Sequence, residues 1–311
     1  MADWPVGTRV VIEPALGCEV RGVSPQCGRC AEGNYGNCEN VASGDLAPGI
    51  QTGYCRDTGG GWSESLIAHA SQLHRVPDEL SDEEAVLAEP LACALHAALS
   101  VQPPSHPATQ QTILVMGCGT MGLLTIAALR WIGYTGHVLA VAKHQHQITA
   151  ALKLGASDIV QHDGSLYPTL AARLHASLHQ PEIGRPTVIG GAELTFDCVG
   201  SAASLDAALR FTRARGEVVL VGMPGIPRGV DWTTIWYQEL RVRGSYTYGW
   251  ENWQGRRRKT FDLALDLLRD HGTQLKSLVT HKFQLTGYRA ALRTALATGP
   301  TKSVKTVFEI G

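Results

Sequence analysis

Nowhere does the 311-residue sequence hold an apolar run of the roughly 18 residues that a membrane span requires. No charged-then-apolar leader opens it, so nothing points to secretion, and a reducing cytoplasm is the expected compartment. Charge of one sign is lacking too. Lys and Arg number 27 against 28 Asp and Glu, a net charge of −1, so no overall field draws the chain to nucleic acid or an anionic membrane. There is no internal repeat and no long low-complexity tract. A chain of this length then reads as one large or two ordinary domains. At 44% hydrophobic and 18% charged, it has ample material for a buried core.

Residues 1 to about 80 read as short strands and loops, with "TRVVIEP" and "WSESLIAHA" as β-like runs. Helical character starts at "SDEEAVLAEPLACALHAAL", where Ser81 and Glu84 form a capping box and Pro90 breaks or restarts the helix after Glu89. "QPPSHPATQQ", residues 102 to 111, is Pro-rich and polar and reads as a link into a second domain. From Thr112 the rhythm changes. "TILVM", "HVLAVA", "LTFDCVG" and "GEVVLVG" are short apolar runs separated by segments of helical length, the pattern of a parallel sheet with helices on both faces. "ELRVRGSYTY" reads as a late strand and "RRKTFDLALDLLRDHG" as a helix ending at Gly272. The charge run "GRRRKT" reads as a solvated face, and Trp250 and Trp253 as packing residues.

"VMGCGTMG" places Gly117-x-Gly119-x-x-Gly122 between a strand and a helix. In that context the first glycine permits a tight turn, the second lets backbone approach a pyrophosphate, and the third lets helix and strand pack closely. The helix start at Thr120 and Met121 offers N–H groups and the positive end of the dipole to phosphate. An acid about 20 residues further on would bind the ribose 2′-hydroxyl of NAD. That place holds Ala142, followed by Lys143 and His144. Cations without a carboxylate favour NADP over NAD. The competing reading makes Lys143 an ordinary surface lysine. Cys198-Val199-Gly200 and Val221-Gly222 end two strands at the carboxyl edge of the sheet, where such folds bind ligands.

Four of the eight cysteines, Cys18, Cys27, Cys30 and Cys38, fall within 21 residues with the spacing Cys-x8-Cys-x2-Cys-x7-Cys. In a reducing compartment such a cluster reads as a four-thiolate structural Zn²⁺ site, which leaves the metal no open position for substrate.

Taken in order, the cysteine cluster, "GGGWSESLIAH", "VPDELSDEEAVLAEPLACALHA", the phosphate loop, "FDCVG" and "GEVVLVGMPG" resemble the zinc-containing medium-chain dehydrogenase/reductase family, which includes alcohol, sorbitol, glucose and threonine dehydrogenases. The resemblance covers nearly the whole chain. It implies an α/β fold: a GroES-like remnant (1–103 plus 271–311) around a doubly wound Rossmann domain (104–270). It implies hydride transfer between a secondary alcohol or polyol and NAD(P), and a homo-oligomer. The family's zinc loop runs Cys-x2-Cys-x2-Cys-x7-Cys, and Cys27, Cys30 and Cys38 match its last three ligands. The first falls on Ser24. Either Cys18 replaces it, or the site is three-thiolate or empty. Glu89 in "EPL" matches a carboxylate that in the sorbitol- and threonine-dehydrogenase-like branch lies at the catalytic zinc and can ligate it.

The family's other catalytic-zinc ligands, a Cys and a Gly-His-Glu, precede the strand at "GTRVVIEP", essentially where this sequence starts, and no Gly-His-Glu occurs in it. The catalytic metal site is therefore expected to be incomplete, with His69, His74 and His96 structural. Two further readings stay open: a nucleotide-binding relative without turnover, and a zinc-free, quinone-reductase-like enzyme.

Overall fold

The computed structural model describes residues 4–101 and 111–310, and the expected linker at 102–111, with the boundary at 103/104, lies outside them except for Gln111. The chain forms two compact units. One takes the residues up to His96 and from Tyr246 onward, and the other takes Ala97–Ser245.

In the first unit β1 (Val10–Ile12) pairs antiparallel with β2 (Leu73–Arg75), Val10 opposite Arg75. Between them lie α1 (Gly28–Glu32) and long loops. A fully buried Arg21 gathers the loops, its guanidinium donating to the carbonyls of Leu16, Ser43, Leu46 and Ala47. "WSESLIAHA" forms no strand. Ile67 is exposed, and among the described residues no neighbour supplies a ladder, without which alternation does not make a strand. His69 caps a 3₁₀ turn, Ala70–Gln72, and His74 lies within β2.

The capping box holds. α2 (Asp82–Ala85) starts at Ser81, whose N–H and hydroxyl both donate to Glu84 Oε2, at 2.9 and 2.8 Å. α3 (Ala88–Leu99) follows, with Pro90 in its first turn, where no backbone N–H is needed.

The second unit alternates β3 (Thr112–Met116), α4 (Thr120–Trp131), β4 (His137–Ala142), α5 (Gln145–Lys153), β5 (Asp158–Gln161) and α6 (Leu166–Arg173). A hairpin of β6 (Ser177–His179) and β7 (Thr187–Ile189) intervenes. Then come β8 (Ala192–Asp197), α7 (Ala202–Phe211), β9 (Thr212–Leu220), α8 (Thr233–Tyr237) and β10 (Arg241–Gly244). Six strands form one parallel sheet in the order β10-β9-β8-β3-β4-β5. The apolar runs are buried because helices cover both faces: Leu114, Leu139, Phe196 and Val218 are inaccessible to solvent. The order reverses at β3, which makes the carboxyl end of β3 the topological switch point where such sheets take ligands.

The first unit resumes with β11 (Trp250–Trp253) and β12 (Arg256–Lys259), an antiparallel pair. α9 (Thr260–Leu275), β13 (Val279–Gln284), α10 (Tyr288–Leu296) and β14 (Lys305–Glu309) complete it, with β13 and β14 parallel. The return at Tyr246 falls earlier than the 270/271 expected from sequence. Trp250 N donates to the Gly33 carbonyl and Lys259 Nζ to Glu13, which ties this segment to the first unit. The charge run is a strand rather than a helix start. Arg257 lies over the Trp250 ring at 5.2 Å, and Arg258 pairs with Asp266 at 2.6 Å. Nor does α9 stop at Gly272. A Cβ there would come within 2.8 Å of Glu84 Oε1, so this glycine serves a close approach between α2 and α9.

Candidate functional site

The phosphate loop sits at the switch point, between β3 and α4, and its three glycines are required for three different reasons. Gly117 has φ +89°, in the left-handed region, and a Cβ there would strike the Val199 side chain. A Cβ on Gly122 would overlap the Gly117 carbonyl oxygen. Gly119 is unlike both. Its φ is −76°, and an added Cβ would meet no protein atom within 4 Å. Neither conformation nor packing calls for glycine there, whereas a group lying against the backbone at the start of α4 would. The start of α4, at Thr120 and Met121, is the positive end of the helix dipole, which suits an anion.

The neighbouring strand ends are built to match. Asp197, fully buried at the end of β8, accepts from Val199 N (3.0 Å), Gly200 N (3.2 Å) and Ser204 Oγ (3.3 Å). Burial raises its pKa against the pull of those donors. Cys198 N donates to the Met116 carbonyl, and burial pushes the Cys198 thiol up to about 12, so it is inert. Val221 N and Gly222 N both donate to the Asp197 carbonyl at 2.9 Å, and Gly200 and Gly222 meet so closely that a Cβ on either would overlap the other's backbone. "FDCVG" carries this signal in sequence, but it does not mark Asp197 as a site organiser, because a lone acid at a strand end does not reveal which amides it holds.

At the end of β4, Ala142 is buried, so the first exposed side chain is Lys143, followed by the half-buried His144. The amides of both donate to Gln147 Oε1 at 3.2 Å.

In the first unit, one Sγ from each of Cys18, Cys27, Cys30 and Cys38 lies within 4.8 Å of every other. Cys18 joins the group, and of the eight intervening residues Arg21 is buried while Ser24, Pro25 and Gln26 are exposed. Cys18 and Cys38 sulfurs are 3.6 Å apart, and those of Cys27 and Cys38 4.0 Å. Sulfurs held about 2.3 Å from a tetrahedral zinc have edges of about 3.8 Å, so the four fit Zn²⁺. Amide groups point at the sulfurs: Cys27 N and Asn40 Nδ2 at Cys18 (both 3.3 Å), Glu39 N at Cys27 (3.5 Å) and Asn40 N at Cys38 (3.4 Å). Desolvation acts upward on Cys27, yet the Glu39 and Cys30 amides outweigh it and bring the thiol down to about 6.

Glu89, in the first turn of α3, accepts from Cys93 Sγ at 3.5 Å, and burial raises its pKa. Among the described residues only the four cysteines bring three or more metal-ligand atoms together. His69, His74 and His96 have local partners instead: Ser71, the pair Glu13 and Asp262, and Glu251.

One further buried cluster has no signature in the sequence. Glu13, at 2% exposure, accepts from His74 Nε2 (3.0 Å), Lys259 Nζ (2.8 Å) and the Tyr35 hydroxyl, while His74 Nδ1 meets Asp262 at 2.8 Å. Glu13 and its partner Lys259 are 246 residues apart in the chain, and no local pattern announces the cluster.

Residues 120–260 match the family model for zinc-binding dehydrogenases, and residues 1–78 that for the alcohol dehydrogenase GroES-like domain. The chain is 27% identical over 277 residues to an L-idonate 5-dehydrogenase of Vitis vinifera, covering 89% of this chain and 66% of that protein. It is 28% identical over 299 residues to a sorbitol dehydrogenase of Bacillus subtilis, covering 94% and 72%. The chain thus spans just under two thirds of the length of the first of these relatives. Among solved structures, the 2R,3R-butanediol dehydrogenase of Bacillus subtilis superposes with a TM-score of 0.68 at 26% identity, over 99% of this chain and 75% of the other.

Proposed function

The chain is a member of the zinc-containing medium-chain dehydrogenase/reductase family, and on that premise we propose that it serves as an alcohol- or polyol-dehydrogenase-type oxidoreductase that uses NADP in preference to NAD. The observation that carries the reading is Gly119, a glycine that the fold itself does not need, at the switch point of the sheet. NADP, when bound, supplies the acceptor for a hydride from the substrate's secondary alcohol carbon.

The chain's own residues bind and orient. Gly117, Gly119 and Gly122 let the backbone approach the pyrophosphate, and the start of α4 donates to it. Asp197 fixes the Val199–Gly200 turn, and Lys143 and His144 take the adenosine ribose side. Cys18, Cys27, Cys30 and Cys38 hold zinc with all four positions filled, so their contribution is to brace the loops rather than to activate substrate.

Two measurements test this. Tryptophan fluorescence of the purified chain is titrated with NADPH and NADH, and NADP reduction is followed over a panel of polyols, sugars and amino alcohols. Tighter binding of NADPH is expected, with little substrate-dependent reduction, because among the described residues only the four-cysteine group could hold a metal. Binding without turnover on any member of the panel would leave a cofactor-binding relative, and binding of neither cofactor would overturn the reading.

A further inference from the structure

The cysteine lobe and the buried Glu13 network share one side chain, Tyr35. It heads the short 3₁₀ turn Tyr35–Asn37, between the third and fourth cysteines. Its carbonyl accepts from Cys38 N at 3.2 Å. The chain before Cys18 closes on it from another side: a Cβ on Gly17 would come within 2.9 Å of Tyr35 Cβ and 3.4 Å of Cys30 Sγ. Cys18 N in turn donates to Cys30 Sγ at 3.4 Å. The stretches that carry Cys18, Cys30 and Cys38 thus fix where Tyr35 stands.

The side chain of Tyr35 leaves the lobe. Its hydroxyl donates to Glu13 Oε1. Lys259 Nζ lies over its ring at 5.3 Å and donates to Glu13 Oε2 and the Ser71 carbonyl, both at 2.8 Å. His74, the other partner of Glu13 Oε2, is held by Asp262 of α9. A cavity of about 270 Å³ borders both groups, lined by Glu13, Cys18, Cys30, Tyr35, Gln72 and Lys259. Lobe and network are therefore not packed solidly together, and the Tyr35 hydroxyl bridges them.

We propose that Tyr35 is the positioning residue through which the zinc-loaded cysteine lobe and the buried Glu13 network stabilise each other. This rests on the zinc reading above. Between Cys18 and Cys38 the lobe has one five-residue helix, with no buried residue, and one 3₁₀ turn. With so little packing of its own, its order depends on the thiolates being gathered on a metal. A lobe that loosens takes the tyrosine hydroxyl from Glu13, and a carboxylate at 2% exposure has little water to replace it. The coupling is reciprocal: zinc steadies the network, and the intact network tightens zinc.

The full chain is compared with Tyr35→Phe, which keeps the ring and loses the hydroxyl. Zinc affinity is read by competition with a chromogenic chelator, and melting temperature on zinc-loaded and metal-stripped protein. The variant should bind zinc at least about tenfold more weakly, as expected for a hydrogen bond to a buried charge. Its melting loss should appear in loaded protein and nearly vanish in stripped protein. Lys259→Gln, a change outside the lobe, should weaken zinc in the same direction. Hydrogen exchange on the wild type needs no variant: stripping zinc should speed exchange at β2 and at the start of α9 as well as within residues 18–38. Unchanged zinc affinity in Tyr35→Phe, with equal melting losses loaded and stripped, would overturn the inference, as would faster exchange confined to the lobe. A wild-type chain that binds no zinc would overturn the zinc reading itself.

Discussion

The sulfurs of Cys18 and Cys38, 20 residues apart in the chain, lie 3.6 Å from each other. That separation is close to the edge of about 3.8 Å that a zinc–thiolate tetrahedron would have, and Cys18, not Ser24, lies with the other three cysteines. The purified chain should carry about one zinc ion. Cys18→Ser and Cys30→Ser should each lose it and Ser24→Ala should not, as read by metal analysis after dialysis. Retention of zinc by Cys18→Ser would show that three thiolates suffice.

The glycines of the phosphate loop should separate binding from folding. Gly119→Ala meets nothing in the protein, so its melting temperature should stay near wild type while NADPH affinity drops at least about tenfold, or about 1.4 kcal/mol. Gly122→Ala drives a methyl into the Gly117 carbonyl and should lower stability and binding together. Equal melting losses in the two variants would contradict the distinction.

Much of this was legible in sequence, and the limits have physical causes. β3, β4 and the Val218–Val219 part of β9 are buried and so read as apolar runs. The Gly117–Gly122 spacing and the Cys27–Cys30 pair are local patterns that need no tertiary context. The misreadings fall where tertiary contact decides. Gly272 looks like a helix end because glycine usually is one, yet Glu84 lying against it keeps α9 going. "GRRRKT" reads as a helix start, yet it forms β12, with Arg256 and Arg257 solvated as expected and Arg258 paired to Asp266. His74 gives no hint of Glu13 or Asp262, which reach it from the far ends of the first unit.

That His74 cluster predicts a stability optimum. Desolvation acts downward on His74, but the bonds to Asp262 and Glu13 outweigh it and raise its pKa above 6.5. Glu13 is lowered from 4.5 and Asp262 from 3.8, the partners' bonds overcoming desolvation in each. The histidine's contribution is complete below about 6.5 and is lost as pH rises through its folded pKa. The carboxylates' contributions are complete above about 4.5 and are lost as pH falls through theirs. Thermal stability should therefore plateau between about pH 4.5 and 6.5 and decline on both sides. A tenfold difference in a group's proton affinity between folded and unfolded chain is worth up to about 1.4 kcal/mol. Asp262, with 43% of its side chain exposed, contributes less than that because solvent screens it. His74→Gln should remove the alkaline decline, and a profile unchanged by that substitution would show that the histidine is not its source.

Asp197 should matter to cofactor affinity through geometry alone. Asp197→Ala leaves the Val199 and Gly200 amides without their acceptor, at a cost of about 1–3 kcal/mol. NADPH and NADH should weaken by the same factor, because the turn lies away from the 2′-phosphate. A loss confined to NADPH would contradict this.

The first unit is assembled from two distant stretches of chain, and this orders events during synthesis. All four cysteines have been made by Cys38, whereas β14, in the same unit, is made only at Lys305–Glu309. At ribosomal speeds of about 5–20 residues per second, the interval lasts roughly tens of seconds. Throughout it the cysteine lobe stands without its final neighbours, so early capture of Zn²⁺ by the four thiols would hold the lobe together in the meantime. Zinc starvation should accordingly damage newly made molecules far more than those already folded.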